Sequence, residues 1–198
     1  YEFRLSLVGS EMCIRDRALK NGADSVEVFA DLDLLREKAL KWAPEKRVML
    51  AERGGKKIDG FDLGNSPLTV TNKIVEGKRL FMSTTNGTKA LQKVENSQFL
   101  FPMALTNRKA VADRIISLNK SNILILGSGW EGNYSLEDSL AAGALADYLM
   151  KFQNSEVNIV NDELNAALAL WNYWKGDVLK CLKTATHGKS CLLYTSDA

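Results

Sequence analysis

Apolar residues recur along the interior of the chain in two alternating patterns, one typical of strands and the other of amphipathic helices. Runs such as SVEVFA and NILIL predict strands at residues 25–30, 47–51, 79–84, 98–103, 122–126 and 156–160. Apolar residues three or four positions apart predict helices at residues 31–42, 88–94, 107–118, 135–152, 161–174 and 177–184. This alternation predicts an α/β fold with three α/β/α layers around a largely parallel or mixed sheet.

The two ends of the chain do not share this patterning. Residues 6–17 (SLVGSEMCIRDR) and 191–198 (CLLYTSDA) resemble translated sequencing-adapter fragments. We therefore expect residues 1–17 and 190–198 to be non-native, and residues 18–189 to form a single, truncated α/β domain. The alternative is a native strand at residues 3–8 and an ordinary C-terminal tail.

Composition narrows the classes of function. The 198 residues are 45% hydrophobic and 25% charged, which is ordinary for a globular protein, and a net charge of +2 gives no reason to expect a nucleic-acid or membrane surface. The three cysteines show neither zinc-ligand spacing nor a disulfide framework, which favours a cytoplasmic location. Whether the protein forms a homo-oligomer is left open.

Residues 51–67 (AERGGKKIDGFDLGNSP) fit neither helix nor strand periodicity. They follow a predicted strand and open the longest irregular stretch of the chain, residues 52–77. Charges of both signs lie close together between glycines, which let a backbone approach a ligand closely. The stretch predicts a site for an anion and a cation, such as a phosphate ester and a metal ion.

A second predicted strand ends in a hydroxyl-rich turn that leads into a helix. Thr84, Thr85 and Thr88 supply hydroxyls around Asn86, and the first turn of the helix supplies free N–H groups, an arrangement that suits phosphate oxygens. The alternative is a plain Asn-Gly turn in which Thr88 caps the helix.

A third strand end carries GSGWEG, from Gly127 to Gly132, which matches the G-x-G-x-x-G pattern of dinucleotide sites. The following helix is predicted to begin only at Ser135, and Glu137 and Asp138 in its first turn would repel a pyrophosphate. These carboxylates suit Mg²⁺ better, although they would also stabilise the helix dipole without any metal. A non-catalytic nucleotide- or anion-binding module remains the alternative.

With these three strand ends the chain resembles the 2-phosphosulfolactate phosphatase family. The matching segments are residues 51–67, 83–91 (STTNGTKAL) and 127–143 (GSGWEGNYSLEDSLAAG), with Asn161-Asp162 and Thr186-His187-Gly188. The resemblance covers roughly residues 18–189. It implies a three-layer α/β fold and Mg²⁺-dependent hydrolysis of 2-phospho-3-sulfolactate to 3-sulfolactate and phosphate, a step towards coenzyme M.

The resemblance also implies roles for individual residues. Catalysis is expected from Glu52, Arg53 and Asp62, and Mg²⁺ binding from Asp62, Glu137 and Asp138. The phosphorylated organic acid is expected to contact Lys56, Lys57, Asn65, Ser66, Thr84, Thr85, Asn86, Thr88 and His187. Members of the family begin with a strand carrying an Asp-Val-Leu-Arg-Ala-Thr-type motif that is absent here. We therefore expect an internal fragment, and an inactive one is an open alternative.

Overall fold

The computed structural model describes residues 4–8, 12–54, 56–64, 66–84, 86–94, 96–118, 122–152, 157–186 and 188–189. The strands are β1 (Arg4–Val8), β2 (Ser25–Val28), β3 (Arg47–Arg53), β4 (Lys56–Lys57), β5 (Arg79–Ser83), β6 (Phe99–Met103) and β7 (Ile123–Gly127). The helices are α1 (Met12–Lys20), α2 (Leu32–Ala39), α3 (Asn72–Val75), α4 (Gly87–Val94), α5 (Arg108–Ser117), α6 (Leu136–Phe152), α7 (Asp162–Trp174) and α8 (Val178–Thr184). The predicted α/β class is confirmed.

The chain divides into two compact units, where the sequence pattern predicts one domain. Unit 1 contains residues 1–10 and 94–198, and unit 2 contains residues 11–93. Among the described residues, no helix combines the length and the apolar character needed to cross a bilayer.

Unit 2 is built on a sheet with the strand order β2-β5-β3-β4. β2, β5 and β3 are parallel, and β4 is antiparallel to β3. Successive side chains of a strand point to opposite faces, so Val48 and Leu50 pack in the cluster that contains α1 and α3 residues. Met49 and Ala51 pack with α2 on the other face. Unit 2 therefore has the predicted three layers.

Unit 1 contains a parallel sheet with the order β6-β1-β7. One face, which includes Phe101, Ile123 and Ile125, packs against buried residues of α5 and α6. α7 and α8 pack on the far side of α6, where Trp171 and Cys181 are buried. Both units thus bury apolar helix faces on apolar strands, each fully buried large side chain contributing about 1.5–3 kcal/mol.

The close contact between α6 and α7 depends on one glycine. A Cβ atom added to Gly143 would lie 2.0 Å from the backbone oxygen of Ala167 and 2.9 Å from Cβ of Trp171. No larger residue fits at that separation without displacing a helix. Gly143 therefore sets how near the two helices lie.

Part of the N-terminal segment, which we expect to take no part in the fold, forms regular structure. Arg4–Val8 is the middle strand of the unit 1 sheet, and Met12–Lys20 is a helix that contributes Ile14 and Ala18 to the core of unit 2. The alternating apolar residues of β1, Leu5 and Leu7, are the pattern expected of a strand between two parallel neighbours. The non-native origin of the segment stays a prediction.

Two sequence predictions are wrong in their extent. Residues 157–160 form no strand, since they are in no ladder with any described strand. The stretch 52–77 is not one irregular loop, since it contains the end of β3, then β4, a 3₁₀ turn at Pro67–Thr69 and α3. Hydrogen-bonded turns satisfy the backbone groups that a long loop would leave unpaired.

Asp147 on α6 gives unit 1 a pH-dependent contact. Its carboxylate accepts hydrogen bonds from Nζ of Lys151 at 2.7 Å and from Nε1 of Trp171 at 3.1 Å. Burial alone would raise the pKa of this carboxyl, but the hydrogen bonds from Lys151 and Trp171 outweigh burial. The pKa therefore lies below its ordinary value of 3.8.

We expect this contact to be lost in acid. A carboxyl whose pKa is lower in the folded state stabilises the fold above its unfolded pKa, and loses that contribution as the pH falls through the folded pKa. Urea unfolding at pH 7 and pH 3 should show a smaller acid-induced loss of stability in Asp147→Asn than in the wild type. Asp113→Asn, at an exposed pair with Lys109, is the matched control and should show a smaller difference. Equal losses in wild type and Asp147→Asn would contradict the assignment.

Candidate active site

The candidate catalytic residues of unit 2 lie where β3 and β5 end. These strands are adjacent and parallel, and Ala51 is in register with Ser83, so both carboxyl ends lie at one edge of the sheet. Ligands of α/β proteins gather at such edges. Here Nη1 of Arg53 donates to the backbone oxygen of Glu52 at 2.8 Å, and Nη2 donates to Oγ of Ser83 at 3.3 Å. The guanidinium is therefore held across the two strand ends.

The β3–β4 hairpin sets two pairs of charges in register. Arg53 is opposite Lys56, and Glu52 is opposite Lys57. The two residues between the strands are glycines, and Gly54 has a φ of +57°, which a tight hairpin turn requires. Directly opposite residues of an antiparallel pair share a face. The hairpin therefore presents two cations, Arg53 and Lys56, on one face and an acid with a lysine on the other.

The Arg53–Lys56 pair has no acidic partner within the part of the chain that the structure describes. Neither side chain forms an ion pair there, and Lys56 is exposed. Like charges directly opposite one another in a ladder are destabilising. An anion bound between them would remove that repulsion, so the arrangement is suited to a negatively charged ligand.

Glu52 is buried on the opposite face of the sheet from Arg53, and Thr84 is buried just beyond the end of β5. Glu52 is 4% exposed and Thr84 is 1% exposed. The alternation along β3 places Glu52 on the same face as Val48 and Leu50, against α1 and α3. Although Glu52 and Arg53 are neighbours in sequence, their side chains leave the strand in opposite directions.

Asp62 fixes the loop after the hairpin to the middle of β3. Its Oδ2 accepts the backbone N–H of Met49 at 2.7 Å, and its own N–H donates to the carbonyl of Met49 at 2.9 Å. One carboxylate oxygen is thus used in folding, while the residue itself remains exposed. A structural role is established for Asp62, and its catalytic and metal-binding roles stay predictions.

The predicted strand–turn–helix element is present after β5. α4 begins at Gly87, one residue earlier than expected, and the backbone oxygen of Asn86 accepts the first helical hydrogen bond from Ala90 at 3.1 Å. Ser66 accepts hydrogen bonds through its carbonyl from Thr69 in the 3₁₀ turn. Asn65, Thr85, His187 and the side chain of Thr88 lie outside the described residues.

Glu137 and Asp138 belong to unit 1, in the first turn of α6. Ser135 caps the helix, its Oγ accepting the N–H of Asp138 at 3.2 Å. Oδ2 of Asp138 accepts the N–H of Gly129 at 2.8 Å and is buried. Adjacent helical positions do not face one another. Burial raises the pKa of the Cys181 thiol, and the charge of Glu137 adds to the rise.

Two glycines of the GSGWEG segment, Gly129 and Gly132, have local structural roles. Trp130 and Asn133 exchange two backbone hydrogen bonds of 3.0 and 2.8 Å, with Glu131 at a φ of 49° and Gly132 at 81°. Positive φ at both central residues defines a type I′ turn. Gly129 donates its N–H to Asp138 and not outward to a ligand. Local structure therefore accounts for Gly129 and Gly132 without a dinucleotide.

Unit 1 contains a cavity of about 410 Å³ beside β7 and the first turns of α6 and α7. Its floor is apolar, and its polar lining includes two carboxylates, Asp138 and Glu163, but no lysine, arginine or histidine among the described residues. A polyanion entering it would meet negative charge without compensation. The hairpin of unit 2, and not this cavity, has the charge that an anionic ligand needs.

Mg²⁺ fits the chemistry of the predicted donors, though no cluster marks its position. Asp62, Glu137 and Asp138 are hard oxygen ligands, and Mg²⁺ commonly takes one or two carboxylates together with water and substrate phosphate. Within the described ranges, no three His, Cys, Asp or Glu side chains converge on a point. The three predicted ligands divide between the units, so their common site stays a prediction.

Ser83 is the site residue that the sequence pattern missed. It is fully buried at the end of β5, yet its hydroxyl contacts the guanidinium of Arg53. The signal in the sequence is a serine that directly follows three apolar residues, 80–82, at the end of the strand RLFMS. The sequence does not reveal that Ser83 contacts Arg53, because 25 residues separate β3 from β5 and only the strand order brings the two strands together.

Comparison with known proteins extends over both units. The family model for 2-phosphosulpholactate phosphatase matches residues 14–195. A Prochlorococcus marinus protein named probable 2-phosphosulfolactate phosphatase is 61% identical over 172 residues, 87% of this chain and 71% of the relative. Relatives with the same name from Synechococcus sp. (strain CC9605) and Gloeothece citriformis (strain PCC 7424) are 54% and 49% identical. They align over 87% and 88% of this chain and 71% and 72% of their own lengths.

Proposed function

Because the chain belongs to the 2-phosphosulpholactate phosphatase family, we propose that it hydrolyses 2-phospho-3-sulfolactate to 3-sulfolactate and inorganic phosphate. It is a phosphoric monoester hydrolase, and its relatives carry the name of this activity. The step breaks the bond between phosphorus and the oxygen on C2 of the lactate skeleton and transfers the phosphoryl group to water.

The observation that supports this substrate is the Arg53–Lys56 pair at the end of β3. The proposed substrate carries a phosphate ester, a sulfonate and a carboxylate, so it brings several negative charges to one place. The planar guanidinium of Arg53 suits the oxygens of a phosphoryl or sulfonate group, which accept a forked contact. Lys56 is a point charge on a flexible stem and suits a second anionic group of the same molecule.

Catalysis by these residues is electrostatic. Charge spreads over the equatorial phosphoryl oxygens in the transition state of phosphoryl transfer, and a fixed guanidinium stabilises it. Asn86 and the first turn of α4 add backbone N–H groups at the same edge of the unit 2 sheet. Glu52 is buried on the other face, and its catalytic role stays a prediction.

We propose Mg²⁺ as the cofactor, bound by one or two of the carboxylates of Asp62, Glu137 and Asp138. When bound, it neutralises negative charge on the phosphoryl oxygens. We also propose that the product serves the biosynthesis of sulfolactate or coenzyme M, and that the enzyme acts in the cytoplasm. The lack of a disulfide framework in the cysteine spacing of the sequence supports a reducing compartment.

The test measures phosphate release by the 198-residue chain from 2-phospho-3-sulfolactate, with Mg²⁺ and with EDTA. We expect turnover with Mg²⁺, its loss in EDTA, and recovery when Mg²⁺ is restored. 2-Phospholactate, which lacks the sulfonate, is the matched substrate and should give a kcat/KM lower by about tenfold or more. Equal rates on both esters would contradict the sulfonate assignment, and activity unchanged by EDTA would contradict the metal.

A further inference from the structure

We infer that Ser83 is a positioning residue that fixes the guanidinium of Arg53 for binding phosphoryl or sulfonate oxygens, an inference that rests on the proposed function. Ser83 ends β5, and its register partner on β3 is Ala51. Arg53 lies two residues beyond Ala51, so the strand alternation directs both side chains to the same face of the sheet. The contact between Nη2 and Oγ, at 3.3 Å, spans the two strand ends.

The guanidinium is held by both terminal nitrogens. Nη1 donates to the carbonyl of Glu52 and Nη2 donates to Ser83, and these two bonds leave three of the five N–H donors for a ligand. Arginine loses much side-chain freedom when it binds an anion. A side chain already fixed in the free enzyme loses less on binding, so the interaction is stronger.

Burial makes Ser83 an effective anchor. The residue is 0% exposed, and it follows three apolar, buried residues of β5. A buried hydroxyl needs a hydrogen-bond partner, and Arg53 provides one. Nothing in the packing of Phe81 and Met82, its strand neighbours, requires a hydroxyl at position 83, since both contact apolar clusters.

A double-mutant cycle between Ser83 and Arg53 tests the inference. Arg53→Lys keeps the charge but has no second nitrogen for Ser83. We expect Ser83→Ala to lower kcat/KM for phosphosulfolactate about tenfold beside Arg53, and less than about twofold in the Arg53→Lys background. Ser83→Thr, which restores the hydroxyl, should recover most of the loss.

Ser25→Ala is the matched control. Ser25 is a serine of the same sheet with a buried hydroxyl, but it begins β2 and so lies at the amino end. Its removal should leave kcat/KM within about twofold of the wild type. Melting temperatures of all variants separate a loss of folded protein from a loss of activity.

The two backgrounds distinguish a positioning role from a structural one. Equal losses from Ser83→Ala in both backgrounds would show a structural role and overturn the inference. If the wild type releases no phosphate from phosphosulfolactate, the proposed substrate fails, and the same cycle is measured on the Kd of inorganic phosphate by calorimetry. A Kd that Ser83→Ala leaves unchanged beside Arg53, or no phosphate binding by the wild type, would then overturn the inference.

Discussion

Replacing Arg53 with alanine is expected to lower kcat/KM for phosphosulfolactate by about 10²–10³-fold, the usual effect of losing one preorganised donor to a developing charge. The loss removes a forked contact and half of the Arg53–Lys56 positive pair. Arg53→Lys should lose less, about tenfold, because it keeps the charge without the planar fork. Lys56→Ala should also be milder than Arg53→Ala, because Lys56 is exposed and its charge is screened by solvent.

Arg47 provides the control, since it is the same residue type at the other end of the same strand. Its guanidinium donates to the backbone oxygens of Trp42 and Ala39, away from the carboxyl edge. Arg47→Lys should therefore keep kcat/KM within about threefold of the wild type. An Arg53→Ala variant that folds normally and retains about a third of the wild-type activity would place the substrate elsewhere.

Replacing Gly143 with alanine is expected to destabilise unit 1, although alanine is the better helix former. The propensity gain is about 1 kcal/mol. Against it, the new methyl would lie 2.0 Å from the oxygen of Ala167, a backbone atom that cannot rotate away. Overpacking costs about 1–3 kcal/mol and sometimes more. At this separation we expect the upper part of that range, and so a net loss on the order of 2 kcal/mol.

Thermal unfolding followed by circular dichroism measures the effect, which for a chain of this size corresponds to a fall in Tm of about 4–8 °C. Trp171, buried beside Gly143, should become more accessible to a fluorescence quencher in the variant. Gly176→Ala is the control, because an added Cβ there meets nothing within 4 Å. A Tm equal to that of the wild type in Gly143→Ala would mean that α6 and α7 separate without cost.

The order and type of most elements were predictable because local patterns determine them. The capping of α6 by Ser135, with a bond to Asp138, follows from a four-residue motif. The strand predicted at residues 156–160 was wrong because its apolar alternation says nothing about whether a partner strand is available. Likewise, a two-glycine turn between charged residues is enough to pair Arg53 with Lys56. Which face of the sheet this pair occupies depends on the fold and is not readable from the local sequence.

The candidate site was predictable as a set of strand ends and not as a set of contacts. Asp62 is attractive in sequence as a metal ligand, whereas in the fold one of its oxygens holds the N–H of Met49. Asp138 similarly holds Gly129. Both roles, accepting a backbone N–H group and binding a metal, use Asp or Glu residues close to glycines in the sequence. The spacing of these residues therefore does not distinguish the two roles.

The alternation of side chains along β3 also separates two opposite charges. Glu52 directly precedes Arg53, and in a flexible loop such neighbours could neutralise each other. Extended backbone sends the carboxylate into the α1 side of the sheet and the guanidinium to the α2 side. The two side chains therefore point away from each other, and the guanidinium stays at the ligand edge. Any change that disrupts the β3–β4 pairing should therefore weaken anion binding, even when every charged residue is kept.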